Sequence, residues 1–171
     1  ILGTGFVVDP RVYMKNFPLE GRDGHMLSQD WKDIAQSYLG TTTTGYPNMY
    51  QLVGPNVGLG HNSIIFMIEA QVDYILSCLK GLSENGADFI DVKTEAQDSV
   101  NVKGQEGLKN TVWTTGCTSW YQSAEGGNFA LWPFSTWKFW LETRKVKESD
   151  YDFGYAKPPL LDKKKKAAAT A

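Results

Sequence analysis

The chain has 171 residues, of which 42% are hydrophobic and 13% aromatic, enough apolar material for the core of one ordinary domain. Its formal net charge of -2 disfavours a general nucleic-acid binder and a protein held on an anionic membrane. Its two cysteines, Cys78 and Cys117, do not form a disulfide framework. With neither a signal-peptide pattern nor an apolar membrane span, we expect a protein of the reducing cytoplasm.

The N-terminal region has an irregular pattern. Ile1 to Phe6 reads as the end of an apolar strand entering a glycine turn, and the lack of an initiator Met suggests a segment of a longer protein or the product of a truncated gene. Farther on, apolar residues recur at near-helical intervals and predict a short surface helix or an ordered excursion; they are Leu27, Trp31, Ile34 and Tyr38.

A glycine-rich stretch, GPNVGLGHNS at residues 54–63, separates two apolar runs. Met49 to Val53 has the length of a strand, whereas Ile64 to Leu82 has the spacing of a helix with one buried face. We therefore predict a strand-to-helix loop, here called the glycine loop, with Asn62 or Ser63 as the helix N-cap. Such a loop can present backbone N–H groups and the positive end of a helix dipole to an electron-rich ligand. Close packing of strand on helix explains the glycines equally well, because the stretch is neither GxGxxG nor a P-loop.

The remaining elements follow in sequence. Ala87 to Val92 predicts a strand, and a capping box formed by Thr94 and Gln97 predicts a helix that reaches Leu108. Thr111 to Gln122 and Phe129 to Trp132 flank a glycine turn and predict a hairpin. We expect residues 1–145 to form the folded part and residues 146–171, with the basic cluster Lys163 to Lys166, to be a charged, disordered tail.

This order of elements favours an α/β fold, although a complete doubly wound sheet needs more strands. His25 and His61 are the only histidines, and no Cys or His pair has the spacing of zinc ligands, so we predict no metal site. A GxSxG nucleophile motif is also absent. The carboxylates of Asp88, Asp91 and Glu95 are interpreted as a solvated edge and not as an acid–base pair.

Five motifs, in this order, carry a resemblance to a known family. They are Gly3-Thr4-Gly5-Phe6, then Tyr38-Leu39-Gly40-Thr41-Thr42, then Tyr46-Pro47-Asn48-Met49-Tyr50 running into the glycine loop, then Thr115-Gly116-Cys117-Thr118-Ser119-Trp120-Tyr121, and Leu131-Trp132-Pro133. Together they resemble the C-terminal part of class B flavin-dependent monooxygenases, the Baeyer-Villiger and flavin-containing monooxygenases. The resemblance covers residues 1–145 and implies a partial FAD/NAD(P)-binding Rossmann-like fold with a substrate-cavity hairpin, the C-terminal portion of a flavoprotein with two dinucleotide-binding domains.

The resemblance implies an FAD-containing, NADPH-dependent monooxygenase that inserts one oxygen atom from O2 into a small organic substrate, a ketone, amine or sulfide, through a flavin peroxide. Both pyrophosphate-binding GxGxxG motifs are absent from these residues, so FAD and NADPH need the missing N-terminal portion of the same enzyme. We therefore expect the isolated chain to be inactive. The alternative is a non-catalytic remnant or interaction module of that fold, with exposed aromatic residues such as Trp137 and Trp140.

The resemblance assigns no catalytic residue here but implies cofactor-binding residues. Gly3, Thr4 and Gly5 would approach the FAD, and the helix that starts near Asn62 would point at the pyrimidine edge of the flavin, where its dipole stabilises the negative charge of the reduced ring. Trp120 would reach the nicotinamide cofactor or line the substrate cavity, unless it belongs with other tryptophans to an apolar strand face. The loop residues nearest the ring would be Asn56, Gly58, Leu59, Gly60 and His61; for His61 itself, a polar loop residue without chemistry is favoured over a catalytic role.

Overall fold

The computed structural model describes residues 8–14, 16–109, 111–114, 119–123 and 127–156. The predicted turn at Gly3, Thr4 and Gly5, the turn at Cys117 and the Lys163 to Lys166 cluster lie outside these residues. Within them the elements follow the order α1 (Pro10–Met14), α2 (Leu27–Asp30), α3 (Ile64–Glu84), β1 (Phe89–Val92), α4 (Thr94–Leu108), α5 (Thr136–Thr143) and β2 (Tyr151–Gly154). The fold is thus mixed helix and strand.

Helix α3 is the longest described element and confirms the predicted helix. Ser63 is its N-cap, and the Ser63 hydroxyl accepts a hydrogen bond from the Phe66 N–H. The helix ends at Asn85 and Gly86, where Gly86 has a φ of +59° that suits glycine. The buried face of α3 consists of residues spaced three or four apart, namely Met67, Ala70, Gln71, Tyr74, Cys78 and Gly81.

The main core lies between α3, α5 and the two strands, and the Tyr38 turn closes it. The largest of its fully buried side chains are Tyr74, Phe139 and Met67. A second cluster packs under α2 around Leu27 and Trp31. The helix predicted from the Leu27 to Tyr38 spacing is therefore only the single turn of α2, although its first two apolar residues are buried as the spacing indicates.

Strands β1 and β2 form an antiparallel pair, with Phe89 opposite Gly154 and Val92 opposite Tyr151. The strand predicted at Ala87 to Val92 is thus confirmed over its last four residues. Residues 146–156 belong to the folded part, because Val146 and Tyr151 are buried in the main core. The boundary predicted between residues 145 and 146 therefore differs from the structure, in which packing outweighs the high local charge.

The strand predicted at Met49 to Val53 does not form. Its backbone makes isolated hydrogen bonds instead. The Gln51 N–H donates to the Thr41 carbonyl at 2.9 Å, and the Val53 N–H donates to the side-chain oxygen of Gln71. Val53 has a φ of +53°, which takes it out of the extended region that a strand requires. The predicted hairpin is likewise reduced among the described residues to one antiparallel bridge, Gln122 with Asn128.

Helix α4 starts where its sequence predicts, but the capping box is wrong. Lys93 is the N-cap and provides no side-chain cap. The Thr94 hydroxyl lies 3.1 Å from the Thr44 hydroxyl, and the side-chain Oε1 of Gln97 accepts the Thr44 N–H at 3.0 Å. Both side chains therefore hold a neighbouring loop and do not close the helix end. None of the helices in the described ranges is long and apolar enough to cross a membrane.

Candidate functional site

The first half of the glycine loop is fixed by hydrogen bonds to two neighbouring segments. The Pro55 carbonyl accepts the Ser37 hydroxyl at 2.9 Å, and the Asn56 N–H donates to the Phe129 carbonyl at 2.8 Å. Gly58 and the segment after Ala130 form a parallel bridge, in which the Gly58 N–H donates to the Ala130 carbonyl at 2.7 Å. Residues 54–58 are therefore held by the protein itself.

The glycines in this half are required by close backbone approach. A Cβ atom on Gly54 would lie 2.6 Å from the Gly40 carbonyl oxygen, and one on Gly58 would lie 2.7 Å from the Ala130 carbonyl oxygen. Both distances are far below van der Waals contact, so a larger residue would push the segments apart. Internal packing thus explains Gly54 and Gly58.

The second half of the loop is exposed and leads into α3. Within the part of the chain that the structure describes, the backbone N–H groups of Gly60, His61 and Asn62 have no hydrogen-bond partner. The first turn of α3 contains no acidic residue. Free N–H groups beside the positive end of a 21-residue helix fit an electron-rich ring edge or an anion. The residues present therefore fit the pyrimidine edge of a flavin.

The side chains of the loop point in different directions. Asn56 has a φ of +67°, and its Nδ2 donates to Asn101 Oδ1 on α4 at 2.8 Å. The side chain of Asn56 therefore binds α4 and does not point to the loop mouth. Leu59 packs against the main core, whereas His61 is exposed. Asn62 Oδ1 accepts the Ser63 N–H at 2.8 Å. Of the predicted loop residues, Gly60, His61 and Asn62 lie at the exposed mouth.

Trp120 lies at the end of a row of aromatic rings that reaches the loop. Its ring centroid is 5.0 Å from that of Tyr121, and Tyr121 contacts Trp113 edge-on at 5.6 Å. A Cβ on Gly60 would lie 2.4 Å from the Trp113 ring, so Trp113 packs against one side of this exposed glycine. Trp120 is 54% exposed and so is not part of a buried strand face. Sequence reasoning missed Trp113 as a loop contact, since its position depends on the fold of residues far along the chain.

An apolar cleft of about 460 Å³ lies against the first half of the loop. Gly54, Pro55 and Gly58 form one wall. The opposite walls come from α1, α2 and the segment around Phe129, and include Pro10, Met14 and Trp31. The cleft thus lies where the described chain begins and where the loop backbone is hydrogen-bonded to neighbouring segments.

A second, polar cleft of about 520 Å³ lies at the start of α4. Here Asp91 is buried, accepts the Gly45 N–H at 3.0 Å and pairs with Arg22 at 3.0 Å. Burial raises the pKa of Asp91 above its ordinary value, although Arg22 and the Gly45 N–H oppose the shift. The predicted solvated edge is therefore wrong for Asp91, while Asp88 and Glu95 are exposed.

Other candidate chemistry is not supported by the arrangement. Burial raises the pKa of the Cys78 thiol to about 12, so this side chain is a packed thiol and not a thiolate nucleophile. His25 lies 3.5 Å from Asp30, far along the chain from His61. Among the residues placed in the structure, no group of three or more His, Cys, Asp or Glu side chains could hold a metal ion.

Known proteins resemble the chain in sequence and in structure, although no protein-family model matches it. It is 40% identical over 153 residues to a Baeyer-Villiger monooxygenase of Pseudomonas aeruginosa, which covers 88% of this chain and 29% of that protein. An FAD-binding monooxygenase of Aspergillus terreus is 32% identical over 156 residues, which cover 27% of its length. The chain thus spans less than a third of the length of these relatives.

A solved structure of a steroid monooxygenase bound to NADP superposes with a TM-score of 0.72 over 81% of this chain and 27% of that one, at 22% identity. This likeness confirms the predicted partial Rossmann-like α/β fold. The resemblance inferred from the five motifs is also confirmed by the sequence comparisons. This chain therefore belongs to the family of Baeyer-Villiger flavin monooxygenases and corresponds to a C-terminal part of such an enzyme.

Proposed function

We propose that the chain completes the flavin site of an FAD-containing, NADPH-dependent monooxygenase of the cytoplasm, which inserts one oxygen atom from O2 into a small organic substrate. The observation that carries this proposal is the exposed mouth of the glycine loop, where the backbone N–H groups of Gly60, His61 and Asn62, unpaired among the described residues, precede the N-terminus of α3. Reduced FAD supplies the electrons for oxygen transfer when bound. The loop and the α3 dipole hold and orient the pyrimidine edge of its ring.

Trp120 has a separate place in the proposal. Its exposed ring lies next to Tyr121, close to the loop mouth through Trp113, as a residue that contacts the nicotinamide cofactor or the substrate would. Gly3, Thr4 and Gly5 complete the proposed FAD contacts. A ketone is the substrate favoured by the name of the P. aeruginosa relative, with amines and sulfides as the other members of the class.

We further propose that both cofactors require the N-terminal portion of the enzyme. Helix α3 supports this, because its outward face carries a stripe of exposed apolar side chains over four turns: Ile65, Val72, Leu76 and Leu79. A stripe of this kind is typical of a face that another part of the same enzyme covers. The full-length gene product should contain about one FAD per chain, whereas the present chain, expressed alone, should be colourless. A yellow isolated chain would refute the requirement, and a colourless full-length protein would refute the function.

The loop assignment is tested by changing the α3 cap in the full-length enzyme. Asp is as good an N-cap as Ser and favours the helix dipole, so Ser63→Asp should fold as well as the wild type. A carboxylate beside the reduced, negatively charged flavin should lower the FAD reduction potential by on the order of 1 kcal/mol, or roughly 20 mV for two electrons. The measurement is a spectroscopic redox titration.

Ser135 provides a matched control. It caps α5 in the same way, with its hydroxyl accepting the Lys138 N–H at 3.2 Å. Ser135→Asp should therefore stabilise its helix without changing the flavin potential. An equal shift in both variants, or no shift in Ser63→Asp, would contradict the position of the flavin at α3.

A further inference from the structure

Gln71 is a fully buried amide on the otherwise apolar inner face of α3, with an exposed fraction of 0%. A buried amide must satisfy its donors and its acceptor within the protein. Its Nε2 donates to the Gly40 carbonyl at 2.8 Å and lies 3.0 Å from the Thr41 hydroxyl. Its Oε1 accepts the N–H of Val53 at 2.9 Å.

The two segments that Gln71 joins both have unusual backbone conformations. Leu39 and Gly40 have φ angles of +51° and +62°, and Val53 has a φ of +53°. A left-handed conformation is strongly disfavoured for a β-branched residue such as Val53, so surrounding contacts must hold it. The Gly40 carbonyl also accepts the Gly54 N–H at 3.1 Å. Gln71 thus binds the segment that immediately precedes the glycine loop.

Helix α3 consequently controls both ends of the loop. The loop ends covalently at Ser63, the N-cap of α3, and it begins at Gly54, whose neighbour Val53 is bonded to Gln71 two turns along the same helix. Besides the backbone bonds that Gly54, Asn56 and Gly58 make, one side-chain amide thus ties the start of the loop directly to the helix at which the loop ends.

We propose that Gln71 is a positioning residue for the flavin edge: it sets the distance between the start of the glycine loop and the N-terminus of α3. This rests on the proposed function, since it presumes that the loop faces the flavin. Gln71 does not reach the loop mouth itself; it acts through Val53 and Gly54. The polarity of the amide is decisive, because a reversed arrangement would place its oxygen against the Gly40 carbonyl and its NH2 group against the Val53 N–H.

The test compares Gln71→Met and Gln97→Met in the full-length enzyme. Methionine keeps the length and helix propensity of glutamine but cannot form these hydrogen bonds. Gln97 is a matched control, because it is buried on α4 and accepts the backbone N–H of Thr44. Two quantities are measured in both variants: hydrogen exchange of backbone amides and the Kd for FAD, from titration of the apoprotein.

We expect Gln71→Met to accelerate exchange at Val53 and Gly54 and to weaken FAD binding by about tenfold, which corresponds to about 1.4 kcal/mol. Gln97→Met should accelerate exchange at Thr44 and leave the Kd for FAD within about twofold of the wild type. Unchanged exchange at Val53, or an equal loss of FAD affinity in both variants, overturns the proposal. A wild-type enzyme that binds no FAD overturns the proposed function, and the exchange data still decide whether Gln71 holds the segment.

If Gln71→Met fails to fold, Gln71→Glu takes its place in the test, because glutamate keeps the shape of glutamine and an acceptor oxygen. When its carboxyl is protonated it can donate to the Gly40 carbonyl and accept the Val53 N–H, whereas the carboxylate repels that carbonyl. Its affinity for FAD should therefore improve relative to the wild type as the pH falls. A constant ratio of the two Kd values across pH overturns the positioning role.

Discussion

Helices α3 and α4 both hold the loops of this chain, but their buried faces differ in chemistry. The inner face of α3 is mostly apolar, with Met67 and Tyr74 in the main core and Gln71 as its one buried amide. The inner face of α4 carries Gln97 and Asn101 in addition to Leu108. Thus α3 builds the core, and α4 organises the backbone around it.

Amide side chains on α4 follow one another at four-residue intervals and each binds a different loop. Gln97 accepts the Thr44 N–H, and Asn101 donates to the Ser37 carbonyl at 3.1 Å and accepts from Asn56. Gln105 donates to the Asn128 carbonyl at 2.6 Å and accepts its N–H at 3.2 Å. Where the described chain has only two short strands, side-chain amides satisfy loop backbone groups that a sheet would otherwise pair.

The largest expected effect concerns the apolar face. Met67→Ala should lower the free energy of unfolding by about 2–5 kcal/mol, because it removes a fully buried side chain from the core and leaves a cavity. In the chain expressed alone, Ile65→Ala, on the exposed side of the same helix, should cost no more than about 0.5 kcal/mol. Urea unfolding followed by tryptophan fluorescence measures both. Similar losses in the two variants would mean that α3 does not form the core.

The buried polar face of α4, which carries Gln97 and Asn101, should be nearly as sensitive to substitution. Here, however, a more hydrophobic side chain should lower the free energy of unfolding. Asn101→Leu makes α4 more apolar, yet it leaves the Ser37 carbonyl and the Asn56 amide without partners, and we expect a loss of about 1–3 kcal/mol. Ser99→Leu adds the same side chain at an exposed position of α4 and should change stability little. Stabilisation by Asn101→Leu would show that α4 is an ordinary amphipathic helix and remove the contrast with α3.

The same contrast explains which elements could be predicted from the sequence. Apolar spacing and the capping residues Asn62 or Ser63 predicted the start of α3 to within one residue, since both signals are local. The predicted strand at Met49 to Val53 failed because Val53 is left-handed, with its N–H bonded to Gln71, a residue 18 positions away. Local propensity contains no information about such a contact.

The candidate site divides in a similar way. The position of the glycine loop before α3 could be predicted. The packing of Trp113 on Gly60 and the bond from Asn56 to Asn101 could not, because their partners come from distant segments. A polar residue on the buried face of a helix, such as Gln71 or Asn101, is the sequence signal that could have indicated these contacts. Signals of this kind become informative only once the buried face is known.

The smallest expected effect concerns Asp91 on β1. Its carboxylate accepts the Gly45 N–H, next to the Thr44 N–H that Gln97 of α4 binds. Asp91 would therefore extend the buried polar face of α4 to β1. Asp91→Asn retains an acceptor for Gly45, and half-exposed Arg22 can turn to solvent, so stability near neutral pH should change by no more than about 1 kcal/mol. The pH dependence should change more clearly. Burial raises the folded pKa of Asp91, so the folded state retains the proton to higher pH than the unfolded chain does.

The contribution of Asp91 to the free energy of unfolding should therefore be greatest in acid and decline as the pH rises from about 4, the ordinary pKa of an aspartate, through the folded pKa. Urea unfolding at a series of pH values should show this decline in the wild type relative to Asp91→Asn. Asp98→Asn, at an exposed position of α4, controls for the change in net charge. The opposite result would be that Asp91→Asn gains stability relative to the wild type as the pH falls. That result would mean that the Arg22 ion pair affects the pKa of Asp91 more than burial does, so that Asp91 serves mainly as the partner of Arg22.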